Sequence, residues 1–252
     1  MIFDILGIAY DKSQSFRKGA KYFPELFWEI LPKIETYQNG IELSEKAFFN
    51  NLGIIKPENF QDLIDKASKK LCECVNFPLI LGGEHTITFA CAKTLKERLK
   101  IKNIVILDAH PDCEDSQGHD SVVRKLFPVF KENIYLYGIR CMSKNEENFI
   151  EKYKIKLLSD ISELENINGN VYLSIDFDVF DPSILPLVGN PEVNGIDVRE
   201  FEKIIKILAP EIVAIDFVEF TPSGIKELDK IYLYLAVTII LKTIAEIIKA
   251  KS

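Results

Sequence analysis

With 252 residues, 47% of them hydrophobic and 27% charged, the chain can bury a sizeable core and fits one α/β domain over residues 1–252. A formal net charge of −7, with no Lys/Arg cluster apart from mixed-charge helix patterns, argues against a nucleic-acid partner. Five cysteines, odd in number and without C-x-x-C spacing, are too sparse to staple such a chain and point to a reducing, cytoplasmic setting.

The opening "IFDILGIAY" reads as a strand without the basic segment of a signal peptide, and it runs into a polar loop over 11–21. "ENFQDLIDKASKKLC" places Phe60, Leu63, Ile64, Ala67 and Leu71 at helical spacing. "FPLILGG" is a short apolar strand closed by two glycines, and Thr86 to Leu99 returns to helix. "IKNIVILDAH", "NIYLYGIR", "NGNVYLSIDFDVF" and "PEIVAIDFVEF" repeat the strand theme, with the helical "REFEKIIKIL" between the last two. Near the C-terminus, the uncharged part of "IYLYLAVTIILKTIAEIIKA" covers only the 11 residues Ile231 to Leu241. That is too short to span a bilayer, so no membrane is expected and the segment reads as a helix buried on most of its surface or in a subunit contact.

Short strands without clean alternation, separated by helices, predict a parallel sheet covered on both faces. Ligands of such sheets bind beyond the carboxyl ends of the strands. The notable polar residues fall there: Glu84 and His85, then Asp108, His110 and Asp112, then Asp176 and Asp178, and finally Glu219. Asp108, His110 and Asp112 have period 2, so an extended chain would point all three the same way, as it would Asp176 and Asp178. One Asp after a strand commonly caps a helix, and a lone His is ordinary. Several carboxylates at one edge, however, repel one another and are costly to desolvate unless a cation joins them. Many Asp with few His suit a hard or borderline ion such as Mn²⁺, and five or six ligands exceed one tetrahedral site, so a two-metal centre is expected.

The segments "GGEHTIT" (82–88), "DAHPDC" (108–113), "SIDFDVFDP" (174–182), "GNPEVNGI" (189–196) and "DFVEFTP" (216–222) resemble the signatures of the ureohydrolases, the arginase and agmatinase family. "GIAYDKSQSFRKGAKYFP" resembles that family's opening, so the likeness covers nearly the whole chain. It implies a three-layer α/β/α fold on a mostly parallel eight-stranded sheet, two Mn²⁺ ions, and a homotrimer or homohexamer. Carried over by motif, His85, Asp108, Asp112 and Asp176 hold one ion. His110, Asp108, Asp176 and Asp178 hold the other, which makes Asp108 and Asp176 the bridging pair.

The resemblance further implies hydrolysis of a small cationic guanidino substrate, with a metal-bridging hydroxide attacking the guanidinium carbon. Asp112 orients the hydroxide, Glu219 pairs with the amidino nitrogens, and His119 passes a proton to the leaving amine. Two bland alternatives stand beside these roles: Glu219 paired with a nearby Lys, and His119 facing solvent or only binding substrate. The segment from His110 to His119 is short, and Asp120 follows His119 where the family usually has Gly.

Glu114 stands where arginases usually carry an Asn that helps bind the substrate α-carboxylate, and Asp115 follows it. Anionic side chains there favour agmatine, hydrolysed to putrescine and urea. A related ureohydrolase (formimidoylglutamase, arginase or guanidinobutyrase) needs a cation for a substrate carboxylate, with Arg124 a possible source. A catalytically idle metal-binding protein and a deacetylase or phosphoesterase on a similar scaffold are the remaining alternatives.

Overall fold

The computed structural model describes residues 1–252. Ten strands and eight α-helices follow in chain order: β1 (Ile2–Ile8), α1 (Phe23–Ile30), β2 (Tyr37–Gln38), β3 (Ile41–Glu42), α2 (Leu43–Lys46), β4 (Phe48–Ile55) and α3 (Phe60–Glu73). Then come β5 (Phe77–Leu81), α4 (Thr86–Leu95), β6 (Asn103–Leu107), α5 (Val122–Phe130), β7 (Ile134–Tyr137), α6 (Lys144–Tyr153) and β8 (Lys156–Leu158). The chain ends with β9 (Val171–Asp176), α7 (Val198–Leu208), β10 (Ile212–Val218) and α8 (Lys226–Lys251).

Eight strands form one sheet in the order β4-β1-β5-β10-β9-β6-β7-β8, and every pairing in it is parallel. Its central strands are apolar on both sides because helices cover both faces. Leu79, Leu81, Val105, Leu173 and Ile215 pack on the side of α1, α7 and α8. Ile80, Ile104, Ile106, Tyr172 and Ala214 pack on the side of α3, α4, α5 and α6. The result is the expected three-layer α/β/α architecture.

Strand register aligns the carboxyl edge of the sheet. β5, β10, β9 and β6 are consecutive neighbours, and Phe217 pairs with Leu81, Val218 with Asp176, and Leu107 with Ile175. Four strands therefore end at nearly one level, and the residues just past each end meet those of its neighbours.

Three features depart from expectation. The edge strands β4 and β8 are not among the expected strands: Asn50, Asn51 and Gly53 interrupt the apolar residues of β4, and β8 is only three residues long. The antiparallel β2–β3 ribbon turns on Asn39 (φ 48°) and Gly40 (φ 83°), the left-handed pair that a tight hairpin needs. Finally, α8 is 26 residues long with a mean hydropathy of 1.9 over its 18-residue window, enough by length and composition to cross a membrane. Length therefore does not rule out a span, but the expectation of burial holds: 67% of that window is buried, with Leu233, Ala236, Val237, Ile240 and Ile244 in the core shared with α1 and α7.

Asp4 ties β1 to its surroundings from inside the sheet. Its carboxylate accepts hydrogen bonds from Asn50 Nδ2 (2.8 Å), Asn76 Nδ2 (3.0 Å) and the Val75 and Asn76 amides (both 2.8 Å). Burial alone would raise its pKa, yet these donors outweigh burial and hold it at about 2. A depressed pKa stabilises the fold above the unfolded value, and that stability is lost as pH falls from about 3.8 through about 2. Asp4→Ala is expected to cost about 1–3 kcal/mol at neutral pH. In urea titrations its difference from wild type should shrink across that acidic window; a pH-independent difference would exclude the charge as its cause.

Candidate metal centre

His85 follows β5 at the N-terminus of α4, Asp108 follows β6, Asp176 closes β9, and Glu219 lies one residue beyond β10. The expected extended comb over 108–112 does not form. β6 stops at Leu107, and Asp112 adopts a left-handed φ of 46°. A turn, not the pleat, brings its carboxylate back over the strand ends; the Val123 amide braces it by donating to Asp112 O (2.8 Å). Asp178 likewise lies past the strand, in a tight turn where its amide donates to Asp176 Oδ1 (2.8 Å). Strained backbone at a non-glycine residue costs roughly 1–3 kcal/mol and persists where the surroundings dictate it. Glu219, with φ 68°, is a second such residue at this edge.

The turns bring the predicted side chains together in two groups. His85 Nδ1 lies 3.0 Å from Asp108 Oδ2, 2.9 Å from Asp112 Oδ2 and 3.5 Å from Asp176 Oδ2. His110 Nδ1 lies 2.9 Å from Asp178 Oδ2 and 3.7 Å from Asp108 Oδ1. Both groups, His85–Asp108–Asp112 and Asp108–His110–Asp178, are compact enough to hold an ion, and Asp108 turns one oxygen to each. Asp176 meets the first group through Oδ2, while its Oδ1 accepts the Asp178 amide. A third grouping, His110, Cys141 and Glu192, draws on the opposite ring nitrogen of His110. A neutral imidazole offers one lone pair, so this group competes with the inner one for His110.

The donor set fits divalent cations. Although His85 Nδ1 and Asp108 Oδ2 are 3.0 Å apart, both are buried and neither has a hydrogen-bond partner. Burial, followed by the Asp108 charge, pushes Asp112 up to about 6. Asp176 is raised further, by burial and then by Asp178 and Asp108. His110 moves up to about 12 because hydrogen bonds and charge from Asp108 and Asp178 outweigh its burial. The proton on His110 thus offsets part of the carboxylate charge, a role that bound cations can take over.

Sequence reasoning missed the residues beneath His85. Its Nε2 lies 3.1 Å from Ser174 Oγ, which donates to Asp216 Oδ1 at 2.6 Å; Tyr172 OH donates to Asp216 Oδ2, also at 2.6 Å. Since the Ser174 proton goes to Asp216, Ser174 accepts from His85 Nε2–H, and the Nδ1 lone pair is left facing the carboxylates. An Asp inside the buried apolar run "IVAIDFV" was the available signal.

Above the two groups opens a pocket lined by 14 residues, none of them hydrophobic. Glu219 is 6% exposed, and burial pushes it up to about 7. It pairs with no lysine: Oε1 accepts from the His85 amide (2.8 Å) and Oε2 from Gln14 Nε2 (2.5 Å). His119 is half-buried on the pocket wall, with its amide donating to Ser13 Oγ and its Nδ1 2.9 Å from Ser13 O. A carbonyl only accepts, so Nδ1 carries the proton and Nε2 keeps its lone pair. Glu114 and Asp120 line the pocket, whereas Asp115 is exposed outside it. Arg124 does not line it: its Nε donates to Cys113 O and Glu114 O, and its guanidinium sits 4.3 Å over the Phe149 ring. The cation that does line the wall is Arg17, which donates to the carbonyls of Val188, Thr221 and Pro222.

The model of the arginase family matches residues 2–245. The chain belongs to the arginase family. It is 30% identical over 240 residues to an agmatinase of Bacillus anthracis, covering 86% of this chain and 83% of that one. An N(1)-aminopropylagmatine ureohydrolase of Thermococcus kodakarensis is 29% identical over 241 residues, with 86% and 82% covered. The solved agmatine ureohydrolase of Thermoplasma volcanium superposes with a TM-score of 0.86 at 28% identity, covering 97% of this chain and 89% of that one. This arginase-family ureohydrolase thus keeps the fold of its solved relatives around its polar pocket.

Proposed function

We propose that this arginase-family protein is a dimanganese ureohydrolase that hydrolyses agmatine to putrescine and urea. The observation that carries the reading is a pocket without a hydrophobic residue in which a buried carboxylate, Glu219, stands beside two ligand groups that share Asp108. His85, Asp108, Asp112 and Asp176 would hold one ion; His110, Asp108, Asp176 and Asp178 the other. Such ions, when bound, supply the Lewis acidity that makes water nucleophilic near neutral pH. Asp112 accepts a hydrogen bond that orients the attacking water. Glu219 matches the planar fork of guanidinium N–H donors and fixes the electrophilic carbon. His119, with Nε2 free, takes up the proton given up by the attacking water and passes it to the departing amine as the C–N bond breaks.

The outer pocket sets the choice of guanidine. Its arginine is committed to three main-chain carbonyls, so a substrate carboxylate would meet Glu114 and Asp120 instead. An ammonium group suits those neighbours. Agmatine has one, and N(1)-aminopropylagmatine, the substrate named for the Thermococcus relative, is a longer polycation that the same acids would accept. One domain per chain, a trimeric or hexameric assembly and a cytoplasmic location complete the proposal.

The test is hydrolysis by Mn²⁺-loaded protein, read as urea from agmatine, N(1)-aminopropylagmatine, arginine and guanidinobutyrate and as formamide from formimidoylglutamate. Agmatine should give the highest kcat/KM and arginine a value lower by about tenfold or more, as expected when a charge is mismatched. Higher kcat/KM for a carboxylate-bearing compound would reject agmatine as the substrate. Mn²⁺ binding with neither urea nor formamide from any of them would favour an idle metal-binding protein.

A further inference from the structure

Residues 11–19 are irregular, yet the loop is held tightly across the mouth of the pocket. Its anchor is Glu84, fully buried beside His85, whose carboxylate accepts from the Ser13 amide (2.6 Å), Ser13 Oγ (2.5 Å) and the Gln14 amide (3.1 Å). The loop can come this close because position 83 is glycine: a Cβ there would lie 1.9 Å from Tyr10 O. Gln14 is only 4% exposed, although it belongs to a surface loop.

Every polar atom of the Gln14 side chain is employed. Its Oε1 accepts from the Gly19 and Ala20 amides (3.1 and 3.3 Å), which fixes which end of the carboxamide faces inward. Its Nε2 donates to Glu219 Oε2 (2.5 Å) and to Thr221 Oγ1 (3.2 Å). With the His85 amide on Oε1, Glu219 is clamped at both oxygens, yet each carboxylate oxygen can accept a second donor. The remaining acceptor capacity is what a guanidino group needs.

We propose that Gln14 is a positioning residue for substrate recognition: its carboxamide orients the Glu219 carboxylate towards the incoming guanidino group. The proposal rests on the guanidino reading of the pocket. Because two hydrogen bonds hold its Oε1 to the Gly19 and Ala20 amides and two carry its Nε2 to Glu219 and Thr221, Gln14 acts as a permanent brace and is not displaced by substrate. Ser13, the preceding residue, holds His119 in the same way, so one loop presets both residues assigned to the substrate.

The experiment measures urea release from agmatine by Mn²⁺-loaded wild type, Gln14→Ala, isosteric Gln14→Glu, and Lys12→Ala in the exposed part of the loop. A hydrogen bond to a charged group contributes about 1.5–3 kcal/mol, so Gln14→Ala should raise KM by about 10–100-fold, with a smaller change in kcat. Gln14→Glu, which sets a carboxylate against Glu219, should be at least as impaired, while Lys12→Ala stays within about twofold of wild type. In a Glu219→Gln background, Gln14→Ala should alter kcat/KM by less than about twofold, because the brace has lost its charged partner. Equal losses in both backgrounds, or a Gln14→Ala enzyme with unchanged KM, would overturn the proposal while leaving the guanidino reading intact. A wild type that releases no urea from any guanidino compound would overturn both.

Discussion

Glu219→Gln is expected to lower kcat/KM for the guanidino substrate by about 10²–10³-fold, the usual loss when one preorganised electrostatic partner is removed. The substitution keeps size and planarity. Its remaining oxygen can still accept from the His85 amide, so the chain leading into α4 is held as before. What disappears is the negative charge, together with one acceptor edge; the new amide NH₂ then faces either Gln14 Nε2 or the substrate, both donors. Metal content should be unchanged, because neither ligand group contains Glu219. Urea release and metal analysis on the same sample check both halves. Activity within about threefold of wild type would remove Glu219 from substrate recognition, and loss of metal would reassign it to the ligand set.

The legible part of this fold was what repeats in period or stands out in composition. Central strands flanked by helices announced a parallel sheet, and polar residues just beyond them announced its functional edge. The path of the chain across that edge was not legible. Alternation at Asp108, His110 and Asp112 suggested a continuing strand, whereas the side chains converge through a left-handed turn at Asp112. Backbone strain of that kind leaves no periodic trace, since the environment imposes it on an ordinary residue. Asp216 and Ser174 were overlooked for a different reason: they lie inside strands read as apolar, and only the register shows that they sit beneath His85. Gln14 was the least visible, a single amide in an irregular loop whose partner is 205 residues away. Arg124 shows the converse error, for nearness in sequence to His119 suggested a pocket cation that in fact stacks on Phe149.

Asp108→Asn should abolish the stabilisation that metal gives the chain. Asp108 is the residue that both ligand groups share, through Oδ2 towards His85 and Oδ1 towards His110. An Asn can keep the Oδ1 acceptor for the His110 amide and turn its NH₂ towards the His85 Nδ1 lone pair. That geometry satisfies an orphaned nitrogen, but His110 loses one of its two carboxylate partners, so the metal-free fold is expected to lose about 1–3 kcal/mol. The metals lose more, because an amide nitrogen is no ligand and Asp176 alone is left to serve both ions. For wild type, free Mn²⁺ at 100 times its Kd adds about 2.7 kcal/mol per site, or roughly 5–10 °C in Tm for a chain of this size. Asp108→Asn should shift by less than about 2 °C under the same conditions and retain fewer than one ion per chain. Asp112→Asn touches only the His85 group, so it should lose one ion and keep about half of the shift. If Asp108→Asn and Asp112→Asn lose metal equally, Asp108 is not the shared residue and the two groups do not act as one centre.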